Sequence, residues 1–172
     1  MLIVKNIVLI GFMGSGKSTV GKLLANKLGL RFVDTDRLVE KKVGKRIKEI
    51  FKNEGEEKFR AFESEVIEEV SKYENQVISC GGGAVLNPDN VSILKENGVL
   101  IYLKASAFIL FERLHGTDTR PLLNVASPRD KVNELLAARQ SLYEKVTDIL
   151  IDTSYIDVDA VVKKIQEKID DR

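Results

Sequence analysis

The sequence predicts an α/β protein in which helices cover both faces of a central parallel sheet. Short apolar runs alternate with segments of helical periodicity, which is the order that parallel strands joined by crossover helices produce. The first apolar run lacks polar alternation, as expected for a strand buried on both faces. A glycine-rich loop joins this strand to the first helix, as in a phosphate-binding strand–loop–helix unit.

The first half of the chain combines two strands with a long helical stretch. A helix from Lys17 to Leu28 follows the first strand and stops at Gly29, a residue type favoured after helix C-termini. Thr35 or Asp36 is the expected cap of the next helix, which Gly44 ends. The helical stretch is too long for one crossover helix, so we interpret it as an insertion that grips a substrate. The predicted strands cover residues 5–10 and 30–33, and the predicted helices cover 17–28, 37–43, 47–54 and 56–73.

The second half repeats the strand–helix alternation. Asn87, Ser106 and Ser127 are expected helix caps, and proline follows the first and third of them, where its missing N–H costs nothing. Residues 115–126 are polar and without periodicity, so we expect a long loop there. The predicted strands cover residues 76–79, 99–103 and 148–151, and the predicted helices cover 88–97, 107–114, 128–146 and 158–169.

Composition excludes several classes of protein. The chain has 27 Lys and Arg against 26 Asp and Glu, so nothing favours a general nucleic-acid or membrane-surface binder. No apolar run approaches the roughly 20 residues of a membrane span. Cys80 is the single cysteine, which rules out an internal disulfide and favours a reducing cytoplasm. We find no linker and expect one domain.

The loop from Gly11 to Ser18 fits the phosphate-binding pattern G-x-x-x-x-G-K-[ST]. Glycines allow the backbone N–H groups to surround a phosphate, and the helix N-terminus adds positive potential. Lys17 is expected to reach the terminal phosphates, and Ser18 to coordinate Mg²⁺. The alternative is an ordinary glycine-rich turn before a lysine.

Two acids follow the second strand, at the edge of the sheet where ligands of open α/β folds bind. Asp34 is the candidate for supporting magnesium, because no other predicted strand of the interior ends in an acid. Asp36 is the candidate for orienting or deprotonating a substrate hydroxyl. Alternatively, the pair forms a turn and a helix cap.

Arg139 interrupts the apolar stripe of its helix, so we expect it to be buried and to need an anionic partner. Spacing leaves open whether that partner is a protein carboxylate or a ligand carboxylate. Arg60 flanks another apolar stripe, where spacing alone favours an ordinary surface arginine.

Gly81-Gly82-Gly83 follows a predicted strand and permits either close approach to a ligand or a plain flexible turn. Arg120 lies in the polar loop, which suits a lid over nucleotide phosphates or a simple connection. His115 and Cys80 have no evident catalytic companions, and we expect neither to be catalytic.

Together these features resemble the shikimate kinase family. The matching stretches extend over nearly the whole chain and are Gly11–Ser18, Phe32–Asp36, Phe51–Arg60, Gly81–Val85, Arg120–Leu123 and Arg139–Tyr143. The resemblance implies a P-loop NTPase of the nucleoside-monophosphate-kinase-like type, with three α/β/α layers around a parallel sheet. It implies transfer of the γ-phosphoryl of ATP to the 3-hydroxyl of shikimate, in chorismate and aromatic amino acid biosynthesis.

The resemblance also implies roles for individual residues. Lys17 and Arg120 stabilise the transferring phosphoryl, and Asp36 is the candidate base. Magnesium is held by Ser18 directly and by Asp34 through water. The implied nucleotide-binding residues are Gly14, Ser15, Gly16, Lys17, Ser18, Thr19, Arg113 and Arg120. The implied shikimate-binding residues are Asp36, Arg60, Gly81, Gly82, Gly83 and Arg139, with the two arginines on the carboxylate.

The implied organisation is a single kinase domain over 1–172, with a helical substrate-binding region at about 35–63 and a lid at about 115–127. We expect a cytoplasmic monomer whose partners are shikimate and ATP, with no nucleic acid or membrane. The nearest rival is another small-metabolite kinase of this fold, such as a gluconate kinase. A regulatory nucleotide-binding module without phosphotransfer is the rival from another class.

Overall fold

A computed structural model of the chain describes residues 6–115 and 121–172. Its strands are β1 Asn6–Ile10, β2 Arg31–Asp34, β3 Gln76–Ser79, β4 Gly98–Lys104 and β5 Ile149–Asp152. They form one parallel sheet in the order β2-β3-β1-β4-β5. The predicted α/β class with a central parallel sheet is therefore confirmed.

The helices follow the predicted order. They are α1 Lys17–Leu28, α2 Thr35–Val43, α3 Ile47–Val70, α4 Pro88–Asn97, α5 Ala107–Leu114, α6 Pro128–Val146 and α7 Val158–Asp170. Short 3₁₀ turns lie at Ala84–Leu86 and Pro121–Leu123. No helix in the described ranges is long and apolar enough to cross a bilayer.

The sheet separates two hydrophobic clusters, which makes the three layers of the fold. Val8 and Ile10 of β1 join the cluster that contains residues of α2 to α6. Ile7 and Leu9 join the cluster that contains residues of α1 and α7. Because successive strand residues point to opposite faces, the uninterrupted apolar run of β1 supplies both clusters.

The helical stretch after β2 differs from prediction in two details. Asp34, and not Thr35 or Asp36, caps α2, because β2 runs directly into the helix and the Asp34 carboxylate accepts the Arg37 N–H at 3.2 Å. The expected cap was therefore wrong, and Asp36 lies in the first turn of α2. The two predicted helices over 47–73 form one element with a break at Gly55, whose φ of 86° is left-handed.

Candidate active site

The carboxyl ends of the strands border two cavities that share a wall. The larger cavity has a volume of about 410 Å³ and is lined by the phosphate loop. The smaller cavity, of about 70 Å³, lies against α3 and α6. Asp36, Gly81 and Gly82 line both, so the acid predicted to handle a hydroxyl stands where the cavities meet.

The phosphate loop is shaped by glycines and closed by Lys17. Gly14 and Gly16 have φ values of 80° and 93°, which only glycine adopts without strain. The Lys17 ammonium donates to the carbonyl oxygens of Gly11 at 2.8 Å and Phe12 at 2.9 Å. The ammonium therefore lies over the loop that leads into the N-terminus of α1, where the helix dipole favours an anion. The predicted nucleotide residues that line the larger cavity are Gly14, Ser15, Gly16, Lys17, Ser18, Thr19 and Arg113.

Three oxygen-bearing side chains meet beside this loop. The Ser18 hydroxyl donates to Asp34 Oδ2 at 2.7 Å and lies 3.4 Å from the Ser79 hydroxyl. Asp34 and Ser79 are register partners across β2 and β3, which explains why they meet. Hard oxygen ligands suit Mg²⁺, which usually also binds substrate phosphates and water. The described residues contain no group of three or more His, Cys, Asp or Glu suited to a metal ion.

Ser79 was not predicted as a site residue. Its position depends on strand register, which the sequence alone does not reveal. One Asp34 carboxylate oxygen caps α2 while the other accepts from Ser18, and the role of Asp34 in supporting magnesium stays a prediction.

Arg113 joins the phosphate loop to the segment that follows β5. Its guanidinium donates to the carbonyl oxygens of Thr153 at 3.0 Å and Gly14 at 3.3 Å. Ile156 and Val158 add apolar surface nearby, as part of the same lining. A planar cation beside apolar side chains suits a nucleotide base, and the nucleotide-binding role implied for Arg113 stays a prediction.

Glu63 is a buried acid of the smaller cavity that the sequence reasoning missed. It is 1% exposed and pairs with Arg60 at 2.8 Å. Burial raises the pKa of the Glu63 carboxyl, while the Arg60 charge opposes that shift. A sequence signal existed, because Glu63 lies four residues after Phe59 and four before Ile67, within the buried stripe of α3.

The triple glycine provides space around these charged groups. A Cβ on Gly81 would lie 2.5 Å from Glu63 Oε1 and 2.7 Å from Asp36 Oδ1, and a Cβ on Gly83 would overlap the Arg60 guanidinium. Neither glycine has a left-handed φ. Close approach, and not a flexible turn, is therefore the reason for glycine at these two positions.

The two predicted carboxylate-binding arginines both line the smaller cavity but differ in their partners. Arg60 pairs with Glu63 and, at 3.1 Å, with Glu56. Spacing had favoured an ordinary surface arginine, and its side chain is instead only 23% exposed. Arg139 is 4% exposed, as its apolar-face position predicted, and its Cζ lies 6.0 Å from the Phe12 ring centroid. The ion pairs found within 6–115 and 121–172 do not include Arg139.

An apolar wall completes the smaller cavity. Phe51 and Phe59 lie with ring centroids 4.9 Å apart, and Ile47 and Leu122 line the same space. None of these four side chains was predicted as a site residue. Leu122 belongs to the predicted lid, so a described residue of that segment borders the cavity.

Three residues singled out in the sequence remain, and the structure describes two of them, Cys80 and His115. Arg120 lies outside the described residues, so its predicted contact with ATP stays a prediction. Cys80 is 2% exposed, and burial raises the pKa of its thiol, which disfavours a nucleophilic role. His115 stacks edge-on against Phe111 with centroids 5.6 Å apart, which is a packing contact.

Comparison with known proteins connects this site with a family. The family model described as shikimate kinase matches residues 13–170. The shikimate kinase of Thermodesulfovibrio yellowstonii is 50% identical over 161 residues, covering 94% of this chain and 92% of the relative. The solved shikimate kinase of Acinetobacter baumannii, in complex with shikimate, superposes with a TM-score of 0.94 at 37% identity, covering 96% of this chain and 93% of that one.

The rival kinase shares only the fold. A gluconokinase of Sinorhizobium meliloti superposes with a TM-score of 0.56 at 17% identity, covering 97% of this chain and 96% of that one. The resemblance found in the sequence motifs is therefore confirmed by a match over almost the full length: the chain belongs to the shikimate kinase family.

Proposed function

We propose that the protein transfers the γ-phosphoryl group of ATP to the 3-hydroxyl of shikimate, giving shikimate 3-phosphate and ADP. The larger cavity takes the nucleotide and the smaller cavity takes the acceptor. The helical region over 35–63 and the lid over 115–127 then close the acceptor side, since Ile47, Arg60 and Leu122 line it.

The observation that carries the proposal is the burial of the Arg139 guanidinium beside the smaller cavity. A buried guanidinium is costly unless an anion neutralises it. Arg139 borders the smaller cavity, and the carboxylates of the described residues do not form an ion pair with it. A carboxylate on the acceptor supplies that missing partner. Arg60 lines the same cavity and adds a second cation.

The other walls of the smaller cavity suit a carbocyclic polyol. Phe51 and Phe59 present aromatic surface to one part of the acceptor, while Asp36 and Glu63 offer oxygen acceptors to hydroxyl groups. Among the described residues, Glu63 Oε1 and Arg60 Nε have no hydrogen-bond partner, so each has capacity for a polar ligand. An aromatic wall favours a ring over the open chain of gluconate.

The reaction is a direct displacement at phosphorus. The 3-hydroxyl oxygen forms a bond to the γ-phosphorus, the bond from that phosphorus to the β–γ bridging oxygen breaks, and ADP leaves with the bond electrons. Asp36, at the junction of the cavities, accepts the hydroxyl proton and orients the oxygen. Lys17 and the phosphate-loop N–H groups stabilise charge on the transferring group.

Magnesium fits the donor side of this site. Ser18 would bind the ion directly and Asp34 through water, consistent with their 2.7 Å contact. When bound with nucleotide, the ion neutralises phosphate charge. Arg113 lines the larger cavity and is proposed to contact the nucleotide there, and Arg120 is proposed to reach ATP from the lid.

A coupled ADP-release assay tests the proposal. The purified enzyme is given magnesium-ATP with shikimate, gluconate or nucleoside monophosphates in separate reactions, and shikimate alone is expected to give release above the ATP-only background. Lys17→Ala, purified identically, controls for a contaminating host kinase. Equal release from wild type and Lys17→Ala, or faster release with gluconate, would contradict the proposal.

A further inference from the structure

A tyrosine at the core of α6 contacts the acceptor side of the site from within the protein. Tyr143 lies one helical turn after Arg139 and is fully buried. Its ring stacks on Tyr102 of β4, with centroids 5.0 Å apart and planes at 28°. Since the Tyr102 side chain is also buried, the two rings hold each other and fix the direction of the Tyr143 hydroxyl.

That hydroxyl donates to the carbonyl oxygen of Gly82. Gly82 lines both cavities and borders the phosphate loop, because a Cβ on it would lie 3.3 Å from the Met13 amide nitrogen. The Gly82 peptide is therefore held between the phosphate loop and α6. Burial raises the pKa of Tyr143, so its hydroxyl keeps its proton and remains a donor at physiological pH.

The nearby Arg139 guanidinium acts on the same hydroxyl, since its charge opposes the effect of burial on the Tyr143 pKa. Tyr143 thus contacts the triple-glycine turn directly and lies beside the arginine proposed to bind the acceptor carboxylate. These two groups approach the smaller cavity from different elements, β3 and α6. The distance between the triple-glycine turn and Arg139 therefore depends on the contacts that join the end of β3 to α6.

We propose that Tyr143 is a positioning residue, whose hydroxyl fixes the Gly81–Gly83 backbone relative to Arg139 and so sets the dimensions of the acceptor cavity. This inference rests on the proposed function for the nature of the acceptor. The link to Gly82 does not depend on it, because the contact is formed by the protein alone.

The test compares Tyr143→Phe with Tyr102→Phe. Each variant removes one hydroxyl from the same stacked pair, but only that of Tyr143 contacts Gly82. Hydrogen exchange of the ligand-free protein is measured by mass spectrometry in peptides that cover residues 81–86. KM values for shikimate and ATP are measured for the same preparations. Tyr143→Phe is expected to speed exchange and to raise the shikimate KM by about tenfold, as expected for one lost hydrogen bond. The ATP KM is expected to change by less than about twofold, because the rest of the nucleotide cavity is unchanged. Tyr102→Phe is expected to resemble wild type, because only the Tyr143 hydroxyl contacts Gly82.

Several results would overturn the inference. Unchanged exchange in Tyr143→Phe would mean that the hydroxyl does not hold the turn. Faster exchange with an unchanged shikimate KM would mean that the held turn does not position the acceptor. Equal effects of the two variants, or equal rises in both KM values, would indicate general loosening of the core. Failure of the proposed function is separate, since it appears as absent shikimate turnover in wild type.

Discussion

Replacing Arg139 with methionine separates acceptor binding from nucleotide binding. The side chain is 4% exposed, lies on α6 and borders the smaller cavity, whereas the larger cavity is lined by other residues. Methionine retains the length and flexibility of the apolar stem, so contact with Phe12 and the surrounding core is kept. Arg139→Met therefore removes mainly the charge and its hydrogen-bond donors.

The size of the effect follows from burial. Removing one partner of a desolvated charged pair in a binding site costs about 2–5 kcal/mol. This corresponds to a loss of shikimate affinity of about 30-fold to several thousand-fold. The unliganded enzyme should change little in stability, because the charge is removed together with its desolvation cost. We expect a Tm within about 4 °C of wild type, equivalent to roughly 1 kcal/mol in a chain of this size.

Calorimetric titration with shikimate and, separately, with ADP measures the two sites directly. Arg129→Met is the matched control, because Arg129 is exposed on the same helix and borders neither cavity. The reasoning is refuted if Arg139→Met binds shikimate normally, or if it loses both ligands to the same extent. A comparable loss in Arg129→Met would also refute it, since that would indicate an effect of net charge.

Two further variants test the acids of the smaller cavity. Asp36→Asn should keep both substrate KM values within about tenfold but lower kcat by about 100-fold or more, because loss of a positioned base removes that contribution; near-normal kcat would exclude Asp36 from proton handling. Glu63→Gln tests the raised pKa of a carboxyl that faces Arg60, Arg139 and Asp36. Because the pKa is raised, the unfolded chain loses this proton at lower pH than the native protein does, so wild-type stability falls as the pH rises from 4.5 through the native pKa. The Tm of Glu63→Gln relative to wild type should therefore increase as the pH rises above 4.5, and a flat or falling difference would contradict the raised pKa.

Local signals made the fold predictable. Apolar runs, glycines after helices and capping side chains act within a few residues, so the sequence carries them directly. Strand ends were less accurate: the second strand was predicted over 30–33 and is Arg31–Asp34. The last paired residue is set by the neighbouring strand, since Asp34 pairs with Ser79, and a single run of sequence does not contain that partner.

The site residues likewise fall into those that a local sequence pattern reveals and those that only the folded structure reveals. Lys17 and Ser18 belong to one contiguous motif, and Arg139 stood out because a cation interrupted an apolar stripe. The contacts of Glu63 with Arg60 and of Tyr143 with Gly82 were not predicted, although Glu63 also interrupts a stripe. A periodic pattern shows that a residue faces inward, but only packing shows which groups it meets there.

The phosphate loop and the smaller cavity are expected to differ in how they respond to small movements of the surrounding helices and strands. The phosphate loop is built from neighbouring residues around one helix N-terminus, so its geometry is largely determined locally. The smaller cavity is assembled from α2, α3, α6, the turn after β3, Leu122 and Met13 of the phosphate loop, and its volume is only about 70 Å³. This cavity has no room for an added side chain at position 81, because a methyl group there would collide with both Glu63 and Asp36. We therefore expect acceptor recognition to be more sensitive to small displacements between elements than the phosphate loop itself is.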